Sequence, residues 1–239
     1  MAVRYLLELA EEEIEPESVL SLEEELSHYL CRVLRMRAHQ MFECFDGRGT
    51  AFSATLLQPD NRHAQICITA RQPKVPAPTR QLAIGISLLK GQAMDRAIQQ
   101  STEMGATQIW IFASERSNAK LPAERSDNKM RHWRKIVVGA AEQCGRLHLP
   151  VCRSTILPEL LAQPGEKMIL QPQGIRIPVQ LDDADRLLLV GPEGGWSNAE
   201  LDLFQRNQCT TYTLGDTVMR AETVPAVALT VIQRAVGNF

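Results

Sequence analysis

Two rhythms of hydrophobic and polar residues follow one another along the 239-residue chain. In the first, apolar runs are short and close together. Val3–Leu9, Met41–Asp46, Thr50–Leu57 and Ala64–Ala70 each have strand length and β-favouring residues. Gly47-Arg48-Gly49 separates the second run from the third, and its glycines can take the positive φ of a three-residue hairpin turn. One helix interrupts the series, predicted over Glu23–Leu34 with Leu26, Leu30, Val33 and Leu34 on one stripe. Several short strands in so short a span predict a small barrel or sandwich over residues 1–72.

Residues 73–80 follow as a linker within Gln72–Arg80, where three prolines in nine residues remove backbone donors and stiffen the chain. The second rhythm occupies residues 81–239. Leu82–Leu88, Gln108–Ala113, Lys167–Gln171, Arg186–Val190 and Thr210–Leu214 read as strands. Met94–Met104, Asp127–Cys144, Asn198–Gln205 and Val224–Val236 read as helices, the first two stopped by Gly105 and Gly145. The alternation predicts an α/β domain: a mostly parallel sheet with helices on both faces.

Composition narrows the class. Hydrophobic residues make up 44% and charged residues 23%, ordinary for a soluble globular protein. The start, MAVRYLLELAEEEIEPE, has neither a signal peptide's basic and apolar regions nor a membrane span, which predicts a cytoplasmic protein without membrane contact. Six cysteines, at 31, 44, 67, 144, 152 and 209, form no C-x-x-C pair. Reduced thiols are expected, and no metal site, because Cys and His spacing fits no usual ligand pattern. The net charge of −2 hides an asymmetry: −5 over residues 1–72, +6 over 73–150 and −3 over 151–239. A polyanion responds to local potential, so the basic middle admits RNA, or is simply a solvated face.

Candidate chemistry sits at predicted strand ends. Arg186–Val190 runs into Gly191-Pro192-Glu193-Gly194-Gly195, after which Ser197 and Glu200 form a capping box. Ligands of open α/β sheets bind just beyond the carboxyl ends of strands, where this loop falls. It matches neither the phosphate loop nor the dinucleotide turn, and alone it reads sooner as a plain tight turn than as a site. Leu214-Gly215, then Met219-Arg220-Ala221-Glu222-Thr223, repeats the arrangement, with Thr223 as N-cap and Pro225 in the first turn. Arg220 and Glu222 can bond each other or the backbone. Leu89-Lys90-Gly91 with Asp95, and Ser114-Glu115-Arg116-Ser117, end two further strands. Lys129, Arg131, Arg134, Lys135 and Arg146 line the basic helix and its end, where Trp133 is either a stacking face or a core anchor. Cys144 near Arg146 reads as an activated or a buried thiol. No Ser-His-Asp or H-E-x-x-H pattern is present.

In chain order, LLKG…MD, SERS, AAEQCGR, GPEGG and R-x-E-T resemble the bacterial 16S ribosomal RNA uridine-N3 methyltransferases, in the SPOUT superfamily of knotted methyltransferases. The likeness covers nearly the whole chain, and His28-Tyr29-Leu30 through Val33-Leu34-Arg35 resembles that family's PUA-like RNA-binding domain. The resemblance implies a deep trefoil knot, S-adenosylmethionine as methyl donor, 16S ribosomal RNA of the small subunit as substrate, and a homodimer with sites at its interface. It places the cofactor against Leu170, Gln171, Gly191, Pro192, Glu193, Gly194, Gly195, Leu214, Gly215, Met219 and Arg220. Arg220 and Glu222 become the catalytic candidates: Arg220 to stabilise the uracil anion, Glu222 to fix it or accept the proton. Arg4, His28, Arg32, Arg35, Lys90, Arg116, Lys129, Arg131, Arg134 and Arg146 become the RNA-binding candidates. Ala221 stands where relatives commonly have Thr, and Val224-Pro225 where a small residue is common. A related enzyme acting on ribose 2′-OH or transfer RNA, and a non-catalytic RNA-binding assembly factor, remain the rival readings.

Overall fold

A computed structural model describes residues 4–7, 14–119 and 123–238. It divides into two compact units, one ending at Ala77 and including Ala141–Leu149, the other formed by Pro78–Ala140 and Pro150–Phe239.

The first unit is a five-stranded sheet ordered β1-β3-β4-β5-β2. Its strands are β1 (Arg4–Leu6), β2 (Val19–Ser21), β3 (Met41–Phe45), β4 (Ala51–Gln58) and β5 (Gln65–Arg71). Residues 3, 8 and 9 of the predicted first strand lie outside the described residues. Antiparallel β3 and β4 close over the expected hairpin, with Gly47 at φ 69° and Gly49 at φ 107°. The Asp46 carboxylate accepts the Arg48 and Thr50 amides, which fixes the turn. Leu147–Leu149 then pairs with it through Gly49 N to Leu147 O and Leu149 N to Gly47 O, both 3.1 Å.

The predicted helix is real only in its first half. Helix α1 (Glu24–His28) passes into a π-helical turn, Tyr29–Val33, whose Leu34 amide bonds the Tyr29 carbonyl. The wider turn breaks the 3.6-residue phase. Leu30 is therefore fully buried, while Val33 and Leu34, expected on the same stripe, are 55% and 42% exposed.

The second unit is a six-stranded, wholly parallel sheet ordered β11-β9-β10-β6-β7-β8. Its strands are β6 (Leu82–Ser87), β7 (Gln108–Phe112), β8 (Val151–Ser154), β9 (Glu166–Arg176), β10 (Arg186–Val190) and β11 (Thr210–Thr213). The helices are α2 (Gln92–Glu103), α3 (Ala123–Cys144), α4 (Leu157–Leu161), α5 (Asn198–Arg206) and α6 (Val224–Ala235). Every residue of β6 and β10 is buried, as a central parallel strand requires. Strand β8 and helix α4 escaped prediction because four or five residues carry too little periodicity. Strand β9 extends beyond the predicted Lys167–Gln171 because Ile175 and Arg176 pair with Tyr212 and Thr213 of β11 past a register shift at Thr211/Tyr212. Gly174 permits that pairing, since a Cβ there would lie 2.3 Å from the Tyr212 backbone.

This order sets β9, β10 and β11 side by side, with Val190 opposite Leu170. The middle of β9 thus meets the carboxyl ends of β10 and β11.

Candidate active site

The glycine loop leaves β10 at Gly191 and turns back through a Gly195 N to Pro192 O bond of 2.9 Å. Trp196 anchors it from below. Its buried indole stacks on Phe112 (6.2 Å, 4° between planes), takes Phe204 edge-on (4.8 Å, 86°) and donates Nε1–H to the Leu170 carbonyl at 3.2 Å. A Cβ on Gly191 would sit 3.0 Å from the indole Cε2, so only glycine lets the strand end lie against this ring.

The capping box is present as read. Ser197 Oγ accepts the Glu200 amide at 3.1 Å, and Glu200 Oε2 accepts the Ser197 amide at 2.8 Å. Glu200 also has a second role that local sequence gave no sign of. Its other oxygen, Oε1, accepts Ser114 Oγ at 2.7 Å and the Glu115 amide at 3.2 Å. At 5% exposure this carboxylate is buried, and it joins the turn after β7 to the start of α5. Ser117 Oγ secures the same turn, accepting the Ser114 amide at 3.0 Å and lying 2.7 Å from Ser87 Oγ at the end of β6. Arg116 thereby comes to rest on the glycine loop, with Nη1–H donated to the Gly194 carbonyl at 3.3 Å.

The third wall follows β11. Thr213 Oγ1 donates to the Gly215 carbonyl at 2.9 Å and accepts the Gly215 amide at 3.3 Å. The Arg220 carbonyl receives the Thr223 amide at 2.9 Å. Thr223 occupies the N-cap position of α6, but its hydroxyl makes no cap bond there.

The three loops enclose a cavity of about 460 Å³. Of the cofactor candidates, Leu170, Gln171, Gly191, Pro192, Glu193, Gly194, Gly195, Leu214 and Met219 line it; Gly215 and Arg220 do not. The two catalytic candidates also lie off its lining. Arg220 is exposed and Glu222 half-buried, and the residue that faces the cavity between them is Ala221. Among the described residues no ion pair joins Arg220 to Glu222. Trp196, Gln173, Thr213, Thr217 and Val218 also line the cavity, none of them expected from the sequence, and so does Arg116, expected there as an RNA contact. An aromatic residue set between a glycine loop and a capping box was the one available signal.

The RNA candidates differ in exposure and in the partners they already hold. His28, Arg32 and Arg35 are exposed on and just after the π-turn segment, and Lys90, Arg131 and Arg134 are exposed in the second unit. Arg4 is committed: its Nε bonds Glu43 at 2.8 Å across the β1–β3 pair. Lys129 Nζ lies 5.8 Å from the centre of the Trp133 ring, Arg131 bonds Asn128, and Arg146 is half-buried, with burial pulling its guanidinium below its ordinary pKa. Trp133 itself is 3% exposed, so it is a core anchor and not a stacking face. Cys144 is half-buried and its thiol donates to the Ala141 carbonyl at 3.7 Å. Among the described residues no cluster of His, Cys, Asp or Glu could hold a metal, and no helix is long and apolar enough to cross a membrane.

Comparison with known proteins gives concordant matches. Residues 75–233 match the family described as RNA methyltransferase domain, and residues 22–68 the RNA methyltransferase PUA domain. The chain is 32% identical to the ribosomal RNA small subunit methyltransferase E of Synechocystis sp., over 94% of this chain and 76% of the relative. Among solved structures it is similar to a Legionella pneumophila methyltransferase with bound S-adenosylmethionine (TM-score 0.91, 28% identity, all of both chains). It is also similar to the Neisseria gonorrhoeae ribosomal RNA small subunit methyltransferase E bound to the same cofactor (TM-score 0.88, 26% identity, all of both chains).

Proposed function

The chain belongs to the RNA methyltransferase family, and from that premise we propose that it transfers a methyl group from S-adenosylmethionine to N3 of a uridine in 16S ribosomal RNA. The observation that carries the reading is the cavity where the middle of β9 meets the carboxyl ends of β10 and β11, in a fold whose relatives were solved holding this cofactor.

The residues fit the cofactor. About 460 Å³ falls within the roughly 300–1,000 Å³ of small-molecule sites. Leu170, Val190, Leu214 and Met219 offer apolar surface for a purine and a thioether chain, while Gln171, Gln173 and Thr217 offer side-chain donors and acceptors. Glu193 supplies the one carboxylate among the described residues of the lining, suited to a ribose hydroxyl or an ammonium group. When bound, S-adenosylmethionine provides an electrophilic methyl group on a sulfonium. The chain's part is to exclude water with this apolar wall, to orient the base, and to stabilise the negative charge that uracil acquires as N3 loses its proton.

RNA affinity rests in this reading on two surfaces. Exposed His28, Arg32 and Arg35 lie in the part matched by the PUA family, and Arg131 and Arg134 on α3. The substrate is placed in the small ribosomal subunit, the enzyme in the cytoplasm, and the working form is a homodimer. Incubating small subunits from a deletion strain with the protein and labelled S-adenosylmethionine, then mapping the product by mass, tests the reading. One N3-methyluridine per 16S molecule is the expected result; label on a ribose oxygen, on transfer RNA or nowhere overturns it.

A further inference from the structure

We infer that Arg116 is the cation that faces the acceptor base at the cavity mouth, and that buried Glu200 is the positioning residue that holds it there. The inference rests on the methyltransferase reading and gives a residue to its unassigned task, stabilising the uracil anion.

Arg116 is the only cation among the described residues lining the cavity; Arg220, though only a residue from the lining Met219 and Ala221, is not one of them. Its origin matters too. The floor is made at β9, β10 and β11, whereas Arg116 arrives from the turn after β7, beyond β6 in the sheet. It crosses the rim of the glycine loop at Gly194, where a Cβ would lie 3.2 Å from the Arg116 Cβ and carbonyl oxygen. A guanidinium has five N–H donors, and a single bond to the Gly194 carbonyl leaves most of them for a ligand. An exposed planar cation at a rim suits the planar, anionic N3–O edge of uracil entering from solvent. In the reaction the N3–H proton passes to water, the new N3–carbon bond forms as the methyl–sulfur bond breaks, and the Arg116 guanidinium offsets the intervening negative charge carried by the uracil oxygens.

Glu200 touches no substrate. Its Oε1 holds Ser114 Oγ and the Glu115 amide, immediately before Arg116, while Oε2 holds the cap of α5, immediately after the glycine loop. One buried carboxylate thus fixes the spacing between the arginine and the loop it crosses.

The test compares Arg116→Ala, Arg116→Lys and Glu200→Gln with wild type. Three quantities are read: S-adenosylmethionine Kd by calorimetry, KM for small subunits, and the pH profile of kcat. Arg116→Ala is expected to lower kcat about 100-fold, the usual loss for one transition-state donor. Cofactor Kd should stay within about twofold, and the rising limb of the profile should move to higher pH because uracil ionises unaided; Arg116→Lys recovers part of both. Glu200→Gln moves kcat and the profile in the same direction by less, with thermal unfolding confirming a folded protein. A cofactor Kd raised tenfold by Arg116→Ala assigns the arginine to the donor and overturns the inference. A raised KM with kcat kept makes it a phosphate anchor, and an unmoved pH profile in either variant likewise contradicts it. Failure of wild type to form N3-methyluridine would be seen before any variant, and would strike the reaction and not the residue.

Discussion

At the start of β10, Arg186 is buried and its donors are taken up: Nε by Glu166 at 3.0 Å, Nη1 by the carbonyls of Asp182 and Ala184 at 2.9 and 3.1 Å, and Nη2 by the Asp182 carboxylate. Tyr212 OH adds a 3.0 Å bond to the other oxygen of Glu166. Four residues later the same strand ends at Val190, and the chain turns through glycines that leave a cavity. One end satisfies its polar groups within the chain. The other holds its loop from behind, through Trp196 and Glu200, and keeps the front open. The contrast separates residues whose loss should cost stability from those whose loss should cost activity.

The largest effect should fall at the closed end. Arg186→Met strands Glu166 and Asp182, and unfolding should lose free energy near the low end of the roughly 3–5 kcal/mol seen when one partner of a buried pair is removed. The low end applies because the Glu166 and Asp182 side chains keep 33% and 79% of their exposure. Below its lowered Tm the variant should bind S-adenosylmethionine as wild type does; weakened binding there would erase the contrast. At the open end, Gly191→Val drives a side chain into Trp196. Overpacking of about 1–3 kcal/mol corresponds to roughly 5- to 150-fold weaker cofactor binding by calorimetry. An unchanged Kd would mean the loop does not carry the site.

A smaller effect compares exposed and ion-paired arginines in the first unit. Arg32→Ala and Arg35→Ala should each flatten the dependence of log K on log salt by about 0.7 on single-stranded RNA. Arg4→Ala should leave the slope unchanged, because its charge is spent on Glu43. The smallest concerns Glu142, whose carboxylate accepts the Leu6 amide at 3.0 Å and whose pKa burial raises above 4.5. The folded state then holds this proton to higher pH than the unfolded chain, so its contribution is complete below 4.5 and is lost as pH rises through the folded value. Glu142→Gln, which cannot ionise, should remove that decline; urea titrations at pH 4 and pH 7 would show it, and an identical pH slope in both proteins would exclude it.

What could be read from the sequence was what is local in it. The β10–loop–α5 unit follows from an apolar run, five residues rich in glycine and a Ser-x-x-Glu cap, all within fifteen positions. The bond from Glu200 to Ser114 spans 86 positions, and no local pattern announces it. The same limit explains Arg116, which sequence offers only as an RNA contact, because its place on Gly194 depends on strand order. Arg220 was favoured for its motif, yet it and Glu222 flank the position, Ala221, that faces the cavity. The π-turn at Tyr29–Val33 defeated the helical stripe for a different reason: periodicity assumes 3.6 residues per turn, and that turn does not keep it.

The central claim, that the methyl donor lies at the open end of β10, is tested most directly by a crystal structure of the protein with S-adenosylmethionine. The prediction is ligand density in contact with Leu170, the Gly191–Gly195 loop and Met219, with Trp196 still beneath the loop. Density bound anywhere else, with this cavity left unfilled, would contradict it.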